Sequence, residues 1–176
     1  MSTVRERQRP LRALYDEQPD EAISSKWART SGNADLFHGE VEVGDGYGVS
    51  FRYGIDRKVG GMQDLPNPGD ILLAALAACL DSTIRMIADL MGVSLDQLSV
   101  LVTGDADVRG ALMIDPDVPV GFRRIRVEVS IEAGADPDIL RKLVTLAEQC
   151  CVTLQTLRAG VPLEVQVAQN VATRRA

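Results

Sequence analysis

A single histidine among 176 residues, only three cysteines and a deficit of basic charge set the first limits on this chain. His38, in Phe37-His38-Gly39 at the start of a strand, has no companion ligands at a spacing that would hold a metal ion, so no metal and no cofactor is expected. The cysteines include no Cys-x-x-Cys, which argues against a general thiol-disulfide carrier, and three are too few for a permanent structural framework. A net charge of −6 argues against DNA or RNA as a main partner, since phosphate binding needs a clustered basic face. Gly60-Gly61 forms no phosphate loop, and no Ser-His-Asp set stands out. Residues Met1-Ser-Thr-Val-Arg-Glu-Arg-Gln-Arg-Pro10 lack the apolar core of a secretory signal, and the apolar run 71–80 is too short to span a bilayer before Asp81. The expectation is a cytoplasmic protein with no membrane partner.

What is present is a composition, 45% hydrophobic and 25% charged, that suits one domain with a real core. Residues 1–26 read as an N-terminal arm, with Arg5, Arg7, Arg9 and Arg12 preceding Asp16, Glu17, Asp20 and Glu21, and a short helix around Leu11–Tyr15. The domain proper is residues 27–176. Val41 and Val43, a turn at Gly44-Asp45-Gly46, then Tyr47, Val49, Phe51 and Tyr53 predict a hairpin with one buried face. Asn67-Pro68 opens a helix that runs to Met91 and stops at Gly92, about 36 Å long at 1.5 Å per residue. Its first half is apolar all round, so it is expected inside the molecule. A second strand pair spans Leu98–Val108 and Phe122–Ala133, with Ile125, Val127, Val129 and Ile131 on one face and Arg124, Arg126, Glu128 and Ser130 on the other. Asp136-Pro137 starts a second helix through Leu140, Val144, Ala147, Cys151 and Leu154 to Gly160. Leu163, Val165 and Val167 predict a closing strand. The class is α+β, in two weakly similar halves with antiparallel sheet covering the helices on one side.

Two apolar helical runs carry thiols: Cys79 ends Ile71-Leu-Leu-Ala-Ala-Leu-Ala-Ala-Cys79, and Cys150-Cys151 follow Leu146-Ala-Glu-Gln. Adjacent helical residues point about 100° apart, so only one of the second pair can face Cys79 well. Cys151 continues the stripe Val144, Ala147 and Leu154, whereas Cys150 reads as a core or subunit-contact residue. Thiols that meet across a core can reduce a peroxide: one attacks the O–O bond and becomes a sulfenic acid, and the other condenses with it to a disulfide. The attacking thiol must ionise, which burial opposes, so a guanidinium or another donor is required. The same burial also suits two small apolar fillers.

Asn67-Pro68-Gly-Asp-Ile-Leu-Leu-Ala-Ala-Leu-Ala-Ala-Cys79 resembles the (N/S)PE-x-LL-x-AA-x-x-AC segment of the OsmC/Ohr family. Ala147-Glu-Gln-Cys-Cys151-Val-Thr-Leu-Gln-Thr-Leu157 resembles its A-x-x-x-CPVS-x-x-L segment, and the likeness covers roughly residues 38–168. The resemblance implies an OsmC-like fold of two ββα-type halves, with two long central helices packed against antiparallel sheets in an intertwined homodimer. It also implies reduction of organic hydroperoxides or hydrogen peroxide, with Cys79 peroxidatic and Cys151 resolving, and recovery by a dithiol such as a lipoyl protein or thioredoxin. The arginine that serves the thiolate lies in the family's first strand region, where Arg29 is the nearest candidate and Arg52 and Arg57 are runners-up. The glutamate that follows the family's proline is Gly69 here, with Asp70 next door.

Ser82 and Thr83 share a face with Cys79 and are candidate hydroxyl donors, or else bond back to helix carbonyls. Asp81 and Arg85, four apart, form a candidate ion pair within the helix. An alternative to the peroxidase is a non-catalytic dimer of the same fold that binds a small hydrophobic ligand between its helices.

Overall fold

The computed structural model describes residues 2–31, 35–44 and 46–167. It begins with helix α1 (Thr3–Glu17), longer than the short helix expected around Leu11–Tyr15. The extension rests on a contact that no local pattern reveals. Ser2 caps the helix by accepting from the Arg5 N–H and donates its own hydroxyl to Asp89 at 2.6 Å, while Asp89 also accepts the Val4 N–H at 2.8 Å. A carboxylate at a helix N-terminus satisfies orphan donors and opposes the positive end of the dipole.

Strands β1 (Ala28–Ser31), β2 (Gly39–Val43) and β3 (Ser50–Tyr53) form an antiparallel meander in which Val41 pairs with Phe51 and Arg29 with Glu42. The expected hairpin is therefore present, but its connection is longer than a tight turn. Tyr47 and Val49 fall outside the strand and are exposed, and Asp45 of the expected turn lies outside the described residues. Among the described residues no helix of the chain packs along this sheet, and Phe51 is half open, so the expected buried face is not covered.

Helix α2 (Pro68–Met91) has the predicted boundaries, and the reasons are local. Asn67 accepts from the Gly69 and Asp70 N–H groups, Asp70 returns a bond to the Asn67 N–H at 3.0 Å, Pro68 fits the first turn, and Gly92 ends the helix in the left-handed region at φ 73°. Leu76, Leu80, Ile84 and Ala88, four apart, make its buried stripe. By length and composition α2 could cross a membrane, yet β4, α4 and α5 pack along it. Leu72, Ala74, Ala75 and Ala78 are exposed, which corrects the expectation that the apolar first half lies wholly inside; Met86 further along is exposed too, because one chain covers only one side of the helix.

Strands β4 (Gln97–Ala106) and β5 (Phe122–Glu132) pair as expected, with Val100 opposite Val129 and Val102 opposite Val127; the short helix α3 (Val108–Ala111) lies between them. Leu98, Val100, Val102, Ile125, Val129 and Ile131 turn toward the core, and Arg124, Arg126 and Glu128 are exposed. Helix α4 (Pro137–Cys150) then sets Leu143 and Ala147 against the α2 stripe. A fully buried leucine such as Leu143 contributes on the order of 1.5–3 kcal/mol.

Two further expectations are corrected. The second helix is not continuous: Cys151 has extended backbone, φ −74° and ψ 107°, and separates α4 from α5 (Val152–Ala159). No closing strand forms either. Residues 161–167 are irregular, and Leu163, Val165 and Val167 are exposed, because a strand needs a neighbouring edge for its N–H and C=O groups and none lies beside this segment within the described chain. The architecture is otherwise the expected α+β fold, with strands β1–β3 followed by α2, and β4–β5 followed by α4 and α5.

Candidate active site

The break at Cys151 is what builds the site. Buried at 0% exposure, Cys151 ends the Leu143–Ala147–Cys151 stripe and is also the residue that caps α5. Turning the backbone there leaves the first N–H groups of α5 without a preceding helical turn to bond, and the Val152 and Thr153 amides favour the ionised form of Cys79. Cys79, half-buried on α2, lies against this terminus and meets the Cys151 thiol, the Val152 and Thr153 N–H groups and the Thr153 hydroxyl.

The two thiols are unequal. Burial pushes Cys79 up, but the Thr153 hydroxyl, the Thr153 and Val152 amides and the Cys151 thiol outweigh it, and Cys79 is held below the ordinary cysteine range. Burial likewise pushes Cys151 up; the Leu154 and Thr153 amides pull it down, but proximity to Cys79 raises it again, and it stays above the ordinary range. As pH rises Cys79 is the one that ionises first, with Cys151 as its S–H donor. That asymmetry is what an attacking thiolate paired with a resolving thiol requires.

Cys150 is exposed at the end of α4, so within this chain it does not fill the core. Arg29 sits on β1 with 71% of its side chain exposed; its guanidinium pairs with Glu42 at 2.7 Å and lies 5.7 Å from the Trp27 ring centre. Ser82 and Thr83 do not serve Cys79 sulfur. Their hydroxyls donate to helix carbonyls, Ser82 to Ala78 and Cys79 and Thr83 to Cys79. The hydroxyl that does reach it, from Thr153, belongs to the opposite helix, and a continuous-helix reading gives no cue to it. One cue existed: the resembling segment has proline where this chain has Val152, and proline marks a first helical position.

Asp81 and Arg85 form the expected pair at 2.8 Å, but Arg85 is 56% exposed, so the pair sits in a wet setting where solvent screens it and it adds little to stability. At Gly69 the missing side chain leaves room for the Phe122 ring, whose Cζ would stand 3.3 Å from an added Cβ. Asp70 is occupied by the cap of α2, bonding both the backbone and side-chain nitrogens of Asn67. His38 engages two carboxylates, and among the described residues no cluster of three or more ligating side chains is placed to hold a metal ion.

An apolar cleft of about 800 Å³ opens between the inner face of β5 and α4, floored by Leu80, Val127, Val129, Leu140 and Leu154. Arg141, Glu148 and Arg158 stand at its polar rim.

A family model described as OsmC-like protein matches residues 61–166, which hold both thiols. No curated protein matches the chain. Among solved structures, an OsmC-like protein from Mycoplasma pneumoniae is similar at 17% identity and a TM-score of 0.65, covering 78% of this chain and 89% of its own. An organic hydroperoxide resistance protein OsmC from Legionella pneumophila is similar at 24% identity and a TM-score of 0.58, over 77% of this chain and 90% of its own. An organic hydroperoxide resistance protein from Elizabethkingia anophelis, at 19% identity and a TM-score of 0.56, covers 78% and 91%.

Proposed function

Because the chain belongs to the OsmC-like protein family, we propose that it reduces organic hydroperoxides or hydrogen peroxide with Cys79 as the attacking thiolate and Cys151 as the resolving thiol. The observation that carries the reading is the contact of two unequal thiols at the start of α5. The Cys79 thiolate attacks the terminal peroxide oxygen, the O–O bond breaks, and the alkoxide leaves as an alcohol after taking a proton. Cys79 is then a sulfenic acid. The Cys151 sulfur attacks the Cys79 sulfur, water leaves, and a Cys79–Cys151 disulfide remains for an external dithiol, a lipoyl protein or thioredoxin, to reduce.

In this reading the α5 terminus and Thr153 perform the thiolate-holding task that the family assigns to an arginine paired with a glutamate. Arg29 acts on peroxide only if a second subunit brings it to the thiols. Thr153→Val should raise the pH midpoint of Cys79 alkylation by iodoacetamide, whereas Thr153→Ser should leave it near the wild-type value. A wild-type midpoint in Thr153→Val would remove the hydroxyl from this role.

The working unit is proposed to be a homodimer in the cytoplasm, with residues 1–26 as an arm on the domain of residues 27–176. Leu72 and Met86 on α2, the uncovered β1–β3 sheet and the exposed Leu163, Val165 and Val167 are the surfaces that support it. The cleft beside β5 supports the second reading, a non-catalytic dimer that holds a small hydrophobic ligand. A native mass measurement on the purified protein bears on both: the expected result is twice the chain mass with nothing added. A monomer would contradict the assembly, and a co-purified lipid or acyl compound would favour the ligand-binding reading.

A further inference from the structure

His38 is the only histidine, and both of its ring nitrogens are engaged. Nδ1 lies 2.9 Å from Asp35 Oδ2 and Nε2 lies 3.0 Å from Asp64 Oδ1, with only 12% of the side chain exposed. Asp35 is further held by the Phe37 and His38 N–H groups on its other oxygen, so this acceptor is fixed in place. Neither nitrogen is left over to act as a general base or to bind a metal.

A neutral imidazole has one N–H, so it can satisfy only one of two flanking carboxylates and turns a lone pair toward the other. The imidazolium donates to both and separates two like charges. Asp35 belongs to the segment that enters β2, and Asp64 to the segment that leads to Asn67 and α2. Since among the described residues no helix packs along the β1–β3 sheet, ties to the α2 lead-in carry its placement; among them are the main-chain bonds Gly54 N–H to Pro66 C=O at 3.0 Å and Gln63 N–H to Ile55 C=O at 3.1 Å.

We infer that protonated His38 is a latch that fastens the entry of β2 to the segment opening α2, and that it loosens when the ring loses its proton. The charged groups around the ring are Asp35 and Asp64, with Arg52 near Asp64. Tyr53, whose phenol lies over Gly39, is a further titratable side chain on this part of the sheet. The Asp35 and Asp64 bonds raise the His38 value above the ordinary range, against burial, which lowers it. A raised value means that the latch is complete below pH about 6.5 and is lost as pH rises through the folded-state value. The latch stands apart from the thiol chemistry.

A single histidine makes the test direct. Proton NMR of the imidazole ring should titrate above a histidine model peptide. Over the same range, amide exchange of residues 39–43, corrected for its intrinsic pH dependence, should show opening that increases about tenfold for each pH unit by which the ring's value is lifted. His38→Asn should erase that pH step, and Asp64→Asn, which keeps the ring as a probe, should lower the midpoint. An ordinary midpoint, or β2 opening that ignores the titration in the wild type, would overturn the latch. If His38→Asn does not fold, the Asp64→Asn midpoint decides: lowered supports it and unchanged refutes it.

Discussion

Peroxide consumption by the Cys79→Ser variant is expected to fall to the uncatalysed rate, while Cys151→Ser should keep a single rapid turnover and then stop. The difference follows from the positions of the two sulfurs. The Thr153 hydroxyl, the Thr153 and Val152 amides and the Cys151 thiol lower the Cys79 value, so Cys79 is the sulfur that ionises more readily, and serine in its place has no ionised form near neutrality. Cys151 is buried and held up as a thiol, so it does not begin the reaction. Without it, the sulfenic acid on Cys79 has no thiol beside it and oxidises further with excess peroxide. Stopped-flow peroxide assays with a sulfenic-acid trap read both effects. A Cys79→Ser variant that consumes peroxide at the wild-type rate would remove Cys79 from the mechanism, whatever its place in the fold.

The second large effect is on stability. Leu143→Ala should lower unfolding free energy by about 2–5 kcal/mol, read as a shift in urea midpoint at unchanged slope. Leu143 is wholly buried and packs with Leu80, Ile84, Ala147 and Cys151, so truncation leaves a cavity on the α4 stripe that presses Cys151 against α2. The same change should slow disulfide formation more than it slows attack on peroxide, because attack requires only Cys79 while closure requires both sulfurs to meet. A loss below about 0.5 kcal/mol, the range typical of surface substitutions, would contradict this placement of α4.

Much of this was legible in the sequence, for reasons that can be named. Asn67-Pro68 and Gly92 are cap and stop signals that act locally, and α2 has the bounds they predict. The alternation of Ile125, Val127, Val129 and Ile131 set one face of β5, which the structure turns toward α2 and α4. The helical stripe places Cys151 rather than Cys150 toward the core, and Cys151 is the buried thiol and Cys150 the exposed one. Yet the stripe belongs to a helix that ends at that residue, and Leu143 is the buried position where Val144 was expected. This chain has no proline or glycine of its own at the break, so the only cue to the donors of α5 is the proline that the resembling segment carries at the position of Val152.

Other misses came from contacts between distant residues. Asp89 accepting from Ser2 and Val4 lengthens α1, and Phe122 fills the space beside Gly69. Neither pairing has a sequence signal, since each joins residues more than fifty positions apart. Periodicity at Leu163, Val165 and Val167 gave a strand whose partner edge is not beside it in one chain. Alternation records that a segment suits a sheet, and leaves open which sheet it joins.

The most direct measurement is the thiol inventory after one equivalent of an organic hydroperoxide, read by peptide mass mapping of the alkylated protein. The account predicts loss of two thiols per chain, a Cys79–Cys151 disulfide and Cys150 recovered fully alkylated. Recovery of all three thiols, or a disulfide that leaves out Cys79, would contradict it.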